Sequence, residues 1–349
     1  MSLTPIQGPE QHDTLEGVPS PAATPQLIGH RPQWDELLAA RRDGRLHHAW
    51  LFQGPRGVGK ATAAFAFARA LVAPAGGGDA AQSEAIARQI AQDSHPNVLH
   101  ITRPPADRGS GFKTAITVDE VRRLNRFFHS TTAGGGWRVA IVDPADDMNR
   151  NAANALLKIL EEPPARSIIL ITNHAPGRLL PTIRSRCRTL RFAPLDPPDL
   201  SRILEGLPLQ LAASEIGSAV DLAQGSARKA ISFAASGAIE VEARVRALLD
   251  HGEPDWHEIQ GLADALVLKG RESAYELTIE LVLKLVAELA EARLAAGQKP
   301  AAARLAAYWQ SESERFATAA AYNLDRKQAL LTFFLGFFAL RSEMGSSAA

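Results

Sequence analysis

The segment Gly54-Pro55-Arg56-Gly57-Val58-Gly59-Lys60 follows the apolar run Ala49-Trp50-Leu51-Phe52 and precedes the helix-forming run Ala61–Val72. A G-x-x-x-x-G-K frame between a strand and a helix is the Walker A pattern of a phosphate-binding loop. In that setting Gly54, Gly57 and Gly59 let backbone N–H groups close around phosphate oxygens, and Lys60 neutralises the outer phosphates. Hydrolysing versions of the loop next carry Ser or Thr, whose hydroxyl ligates Mg²⁺; this chain has Ala61. Thr62 follows, but one residue along a helix is a rotation of about 100°, so it is no simple substitute. The loop is equipped to hold phosphate and poorly equipped for hydrolysis.

A second segment agrees. Arg138-Val139-Ala140-Ile141-Val142-Asp143 reads as a buried strand ending in an acid, the Walker B pattern, whose Asp helps hold Mg²⁺. ATPases of the AAA+ type place Glu directly after it to polarise water. Here the residue is Pro144, which has neither a carboxylate nor an N–H. The alternative is an active ATPase with shifted ligands drawn from Thr62, Asp146 or Asp147.

At 349 residues the chain exceeds one ordinary core, and two or three domains are expected. Lys+Arg and Asp+Glu balance at 38 each, so any DNA contact has to be a local patch. The single cysteine, Cys187, excludes intrachain disulfides and thiolate zinc clusters and suits a reducing cytoplasm. The first 25 residues have no apolar core of a secretory signal, and Leu330–Leu340 is about half the length of a membrane span. A soluble cytoplasmic protein is expected, with no membrane partner.

Residues 1–24 read as a flexible tail rich in Pro, Gly and polar residues. Over 25–194, strands expected at Ala49–Gln53, Asn97–Ile101, Arg138–Val142, Ser167–Thr172 and Thr189–Phe192 alternate with helices. Those helices are Arg31–Arg42, Ala61–Val72, Glu84–Asp93, Val118–His129 and Asn149–Glu162. Alternation implies an α/β domain with a parallel sheet, helices on both faces and ligands at the carboxyl ends of the strands. Ala75–Gln82 reads as a connector, and Thr117-Val118-Asp119-Glu120 as a capping box. Residues 195–237 read as short helices broken at Gly206, Gly217 and Gly225, residues 238–341 as an all-α domain, and 342–349 as a tail.

The run Asn154-Ala155-Leu156-Leu157-Lys158-Ile159-Leu160-Glu161-Glu162-Pro163-Pro164, with Ser185-Arg186-Cys187 about 20 residues later, resembles the bacterial clamp-loader proteins of the AAA+ family. Leu27-Ile28-Gly29-His30 and Leu46-His47-His48-Ala49 share the resemblance, which covers roughly residues 25–237 with clear motifs. It implies an AAA+ domain, a helical lid and a helical collar. In Ala61 and Pro144 the chain resembles the non-motor members of that family. Many relatives carry a four-cysteine zinc module after the loop helix; this chain lacks those cysteines, and no zinc or other metal site is expected.

The resemblance also implies roles for individual residues. Arg186 would be an arginine finger reaching the γ-phosphate of ATP held by a neighbouring subunit; as a bare sequence it is an arginine in a basic stretch with Arg184, Arg188 and Arg191. Cys187 reads as a small buried filler. Thr172 and Asn173 end a strand where AAA+ proteins place the polar sensor 1 residue, and Arg228 of Gly225-Ser226-Ala227-Arg228 would be sensor 2. The nucleotide set, vestigial or not, is thus Gly54, Gly57, Gly59, Lys60, Thr62, Asp143, Thr172, Asn173 and Arg228, with ATP as ligand and Mg²⁺ only alongside it. Arg122, Arg123 and Arg126 share one helix and are either DNA-phosphate contacts or a solvated face. Asp146/Asp147 and Glu161/Glu162 read as helix-end charges.

The implied function is a non-motor subunit of the DNA polymerase III clamp loader, with γ/τ and δ as partners and the sliding clamp and primed DNA reached indirectly. It would brace the ring and lend Arg186 without ATPase activity of its own. The rivals are a γ/τ-type motor subunit and a stand-alone DNA-dependent P-loop ATPase.

Overall fold

A computed structural model describes residues 9–346 except 16, 75–78, 131–135, 210, 236–237, 252 and 269–270. It divides into two compact units. One comprises residues 1–210 and 223–228, the other 211–222 and 229–349, so that 195–237 is shared between them.

The first unit is a five-stranded sheet of β1 (Ala49–Gln53), β2 (Val98–Ile101), β3 (Arg138–Val142), β4 (Ser167–Asn173) and β5 (Arg188–Arg191). Every pairing is parallel, in the order β2-β3-β4-β1-β5. Strand periodicity sends alternate side chains to opposite faces and builds two cores. Trp50 and Phe52 of β1 enter one core with Leu37 of α1 (Arg31–Arg42) and Phe65 and Phe67 of α2 (Lys60–Val72). Ala49 and Leu51 enter the other with Leu124 of α4 (Val118–His129) and Leu156 of α5 (Arg150–Glu161). The expected α/β class, with helices on both faces, is the observed one.

Local boundaries differ from the sequence reading in informative ways. α3 (Ala80–Ala91) begins four residues earlier than expected, because the Asp79 side chain caps it by accepting from the Gln82 N–H at 2.7 Å. Most of the expected 75–82 connector, residues 75–78, lies outside the described residues. Thr117 precedes α4 but makes no side-chain cap bond, and Glu120 pairs with Arg123 instead, so the capping box is not formed. Gly217 does not break its helix. It lies inside α8 (Ala213–Ala223), where a glycine costs about 1 kcal/mol and is tolerated. Gly206 caps α7 (Pro197–Glu205), and Gly225 has φ +81° ahead of α9 (Ala227–Ala235).

The second unit contains α10 (Ala238–Asp250), α11 (Trp256–Leu266), α12 (Glu272–Ala295), α13 (Lys299–Ala321) and α14 (Arg326–Ser346). The apolar run in α14 is a core: Phe333 is fully buried, stacks on Phe337 and meets Tyr308 and Phe316 of α13. α14 continues to Ser346, past the point where a tail was expected. Among the described residues no helix is long and apolar enough to cross a membrane.

Candidate nucleotide site

The phosphate-binding loop leaves β1 at the carboxyl edge of the sheet and enters α2 through Gly59, at φ +102°. Two glycines are required by close approach. A Cβ on Gly54 would stand 2.1 Å from the Phe192 carbonyl oxygen. Gly57 combines φ +82° with a neighbour: a Cβ there would stand 2.4 Å from Ser226 Oγ and 2.6 Å from Arg228 Cβ. The reason is that Gly225-Ser226-Ala227-Arg228 packs on the loop. The Arg228 N–H donates to the Gly57 carbonyl at 3.1 Å, and Ser226 Oγ donates to the Arg56 carbonyl at 3.1 Å. His30, from the run preceding α1, joins the Val58 carbonyl through Nε2 at 2.7 Å, so the loop is braced from both flanks.

Lys60 is 3% exposed and turns back on its own loop, its Nζ donating to the carbonyls of Gly54 (2.7 Å) and Pro55. Burial pulls its pKa down to about 8, opposed by the charges of Asp143 and Asp146. Asp143 ends β3 and accepts the Thr172 hydroxyl. Burial raises the Asp143 carboxyl to about 6 against that bond, and the charge of Asp13 pushes the same way. Thr172 and Asn173 are both fully buried at the end of β4. Asn173 links the next strand and the turn: it accepts from Gln53 at 3.2 Å and donates to Asp146 Oδ1 at 3.0 Å.

Asp146 and Asp147 are not merely helix-end charges. Asp146 also accepts from the backbone N–H groups of His174 (2.6 Å) and Ala175 (2.8 Å). Asp147 takes a two-pronged contact from Arg103, at 2.5 and 2.7 Å. Both carboxylates thus hold the chain at this edge, through backbone N–H groups and Arg103. Ala61 offers no oxygen, and Asp143 is engaged by Thr172. The loop, Lys60 and Arg228 are the groups that would meet a phosphate, and the residue after Lys60 lacks the hydroxyl that would hold a magnesium ion beside it. Among the described residues no cluster of three or more His, Cys, Asp or Glu is arranged to hold a metal.

Arg228 stands at this edge with a partner that the sequence reading did not supply. Its Nη1 donates to the Asp13 carbonyl at 2.5 Å and lies 3.6 Å from Asp13 Oδ2. The neighbouring His12 places Nε2 3.5 Å from Asp147 Oδ2 and Nδ1 3.3 Å from Thr102 Oγ1. The stretch expected as a tail is therefore packed where it is described, and Ala22 and Thr24 also accept from Arg69. No pattern in the sequence pointed to His12 or Asp13, and Arg103 carried none either.

Arg186 lies apart from this cluster, just past α6 (Pro181–Arg184). It donates to the Thr182 carbonyl at 3.0 Å and to Glu161 Oε1 at 2.8 Å, with more than a third of its side chain exposed. Cys187 is partly buried, and burial raises its thiol to about 12, which disfavours the thiolate. Arg122, Arg123 and Arg126 are exposed on α4, opposite its buried Val121, Leu124 and Phe128. Arg122 and Arg123 are paired within the helix to Asp119 and Glu120.

Residues 29–196 match a family model described as DNA polymerase III, delta subunit. The δ′ subunit of DNA polymerase III from Pseudomonas aeruginosa is 39% identical over 158 residues, 44% of this chain and 46% of that protein. The δ′ subunit of Bacillus subtilis is 37% identical over 162 residues, 46% of this chain and 47% of that protein. The γ/τ subunit of Mycobacterium tuberculosis is 33% identical over 187 residues, 53% of this chain and 31% of that protein. The chain spans about half the length of the δ′ relatives it matches. Through residues 29–196, the phosphate loop and the Ser185-Arg186-Cys187 turn among them, the chain resembles the δ′ subunits of bacterial DNA polymerase III.

Proposed function

We propose that this chain is a non-motor, δ′-type subunit of a cytoplasmic clamp loader, with γ/τ and δ subunits as its partners. It braces the ring and completes a neighbour's ATPase site with Arg186. The observation that carries the reading is the asymmetry between the chain's own loop and its arginine. Ala61 and Pro144 deprive the loop of a metal-ligating hydroxyl and a water-polarising carboxylate. Arg186, by contrast, keeps more than a third of its side chain exposed and is held, among the described residues, by the exposed Glu161 and one carbonyl. An exposed ion pair is worth about 0–1 kcal/mol, so Arg186 can exchange Glu161 for the γ-phosphate of ATP on a neighbour at little cost. An arginine finger of this kind contributes about 10³–10⁵ to turnover. The chain then governs a hydrolysis that it does not perform, and the clamp is closed on primed DNA as the neighbour turns over.

A motor role of the γ/τ kind finds support in the identity shared with the M. tuberculosis γ/τ subunit. It requires a metal-ligating hydroxyl that Ala61 does not provide. The test is ATP turnover in a mixture of this chain, γ/τ, δ, clamp and primed DNA, with native Arg186 against Arg186→Ala. Loss of turnover by orders of magnitude with the alanine supports the finger. Unchanged turnover with the alanine overturns the finger, and robust hydrolysis by the isolated chain overturns the non-motor reading.

A further inference from the structure

Residues Gln11-His12-Asp13-Thr14 form a closed turn. Gln11 N–H donates to Thr14 Oγ1 at 2.8 Å, and Thr14 N–H donates to the Gln11 carbonyl at 3.1 Å. Its position, not its local form, is informative. Asp13 meets Arg228 with both its carbonyl and its carboxylate. The backbone N–H of that same Arg228 is bonded to Gly57 of the phosphate loop at 3.1 Å. His12 meets Thr102 and Asp147 beyond the carboxyl ends of β2 and β3, and Gln11 meets the buried His100 of β2 at 3.3 Å. Three successive residues thus lie across the sheet edge from β2 to the loop, with the single carboxylate among them beside the arginine expected to touch a phosphate held by this chain's own loop.

We infer that this turn is an intramolecular occupant of the phosphate site: Asp13 takes the place of a phosphate on Arg228, and nucleotide binds only when the turn leaves. The inference rests on the reading of the loop as a phosphate site. The Asp13 carbonyl accepts from Arg228 and its carboxylate stands at ion-pair distance, so a phosphate approaching that guanidinium meets both the occupied donor and a like charge. The electrostatics agree with the placement, since the charge of Asp13 reaches Asp143, Arg103 and Arg228 together. A ligand that must displace a docked segment has its apparent affinity reduced by the fraction of time the site is open.

The test uses the full chain as native protein, Asp13→Ala, and Arg228→Ala. Hydrogen exchange of residues 9–15 reports docking, and titration with a fluorescent methylanthraniloyl ATP reports the site. The expected result is slow exchange at 9–15 in the native chain, fast exchange in both variants, and binding about tenfold tighter or more in Asp13→Ala. Inorganic tripolyphosphate should speed exchange at 9–15 in the native chain and not in Arg228→Ala. Fast exchange in the native chain, or exchange indifferent to both substitutions, overturns the docking. Equal and measurable nucleotide affinity in native and Asp13→Ala proteins overturns the competition. Docking released by Asp13→Ala with no binding of nucleotide or tripolyphosphate to any form instead overturns the reading of the loop as a phosphate site, and the competition with it.

Discussion

Arg186 and Glu161 are joined by a 2.8 Å ion pair between the turn after α6 and the last residue of α5. The two motifs that carry the family resemblance, the Leu-Glu-Glu-Pro-Pro run and the Ser-Arg-Cys turn, therefore meet at one side-chain contact. Because both partners are more than a third exposed, the pair does little to hold the fold.

For that reason Arg186→Ala and Glu161→Gln should each change the unfolding free energy by less than about 1 kcal/mol in urea titrations. Their effects on a reconstituted loader should diverge. Arg186→Ala is expected to lower neighbour turnover by about 10³ or more, and Glu161→Gln to leave it at or above the native rate. A large stability loss in either variant would mean the pair is structural.

Gly57→Ala should be far more costly than Gly44→Ala. Both positions have positive φ, but a Cβ at Gly44 meets nothing within 4 Å, whereas at Gly57 it meets Ser226 and Arg228. Backbone strain alone costs about 1 kcal/mol, and the clash adds to it, for about 2–4 kcal/mol at Gly57. Chemical denaturation of the two variants gives the comparison directly.

Asp143 sets a pH signature of unusual sign. Burial, assisted by Asp13, raises its carboxyl to about 6, above the value of about 4 in the unfolded chain. The folded state then holds the extra proton, so this group's contribution is fullest below pH 4 and is lost as pH rises through 6. His174 and His100, both lowered to about 4 by burial, act oppositely over the same window. The difference between Asp143→Asn and native protein isolates the carboxylate. It should grow in favour of the variant by on the order of 2–3 kcal/mol between pH 4 and pH 7. A flat difference would show that Asp143 titrates normally.

In the helical unit Phe333→Ala should cost about 3–5 kcal/mol, because the ring is fully buried among Tyr308, Phe316 and Phe337. Leu335→Ala, at a position 59% exposed on the same helix, should stay within about 0.5 kcal/mol. Denaturation followed by far-ultraviolet circular dichroism separates the two.

Much of the α/β unit was legible in the sequence because its signals are local. The apolar runs of β1 and β3, the helix after Lys60 and the glycine frame of the loop each lie within a few residues of one another. Local signals also misled where a side chain had a second choice. Glu120 fits a capping box by spacing but pairs with Arg123, and Gly217 reads as a break but continues α8. The absence of a hydroxyl at Ala61 and of a carboxylate at Pro144 needed no structure at all, since a residue type either has the atom or lacks it.

By itself, then, the sequence determined the strand–loop–helix with its glycine frame, the missing hydroxyl at Ala61 and carboxylate at Pro144, and the run and turn by which the chain resembles the δ′ proteins. Only the tertiary structure decided what those groups touch. Arg228 finds Asp13 from 215 positions away, and Arg103 finds Asp147 from 44. Such pairs are set by the parallel sheet, which gathers the ends of distant strands on one edge. A hydrogen bond between them depends on a few ångströms of placement and leaves no period, spacing or composition in the chain to announce it.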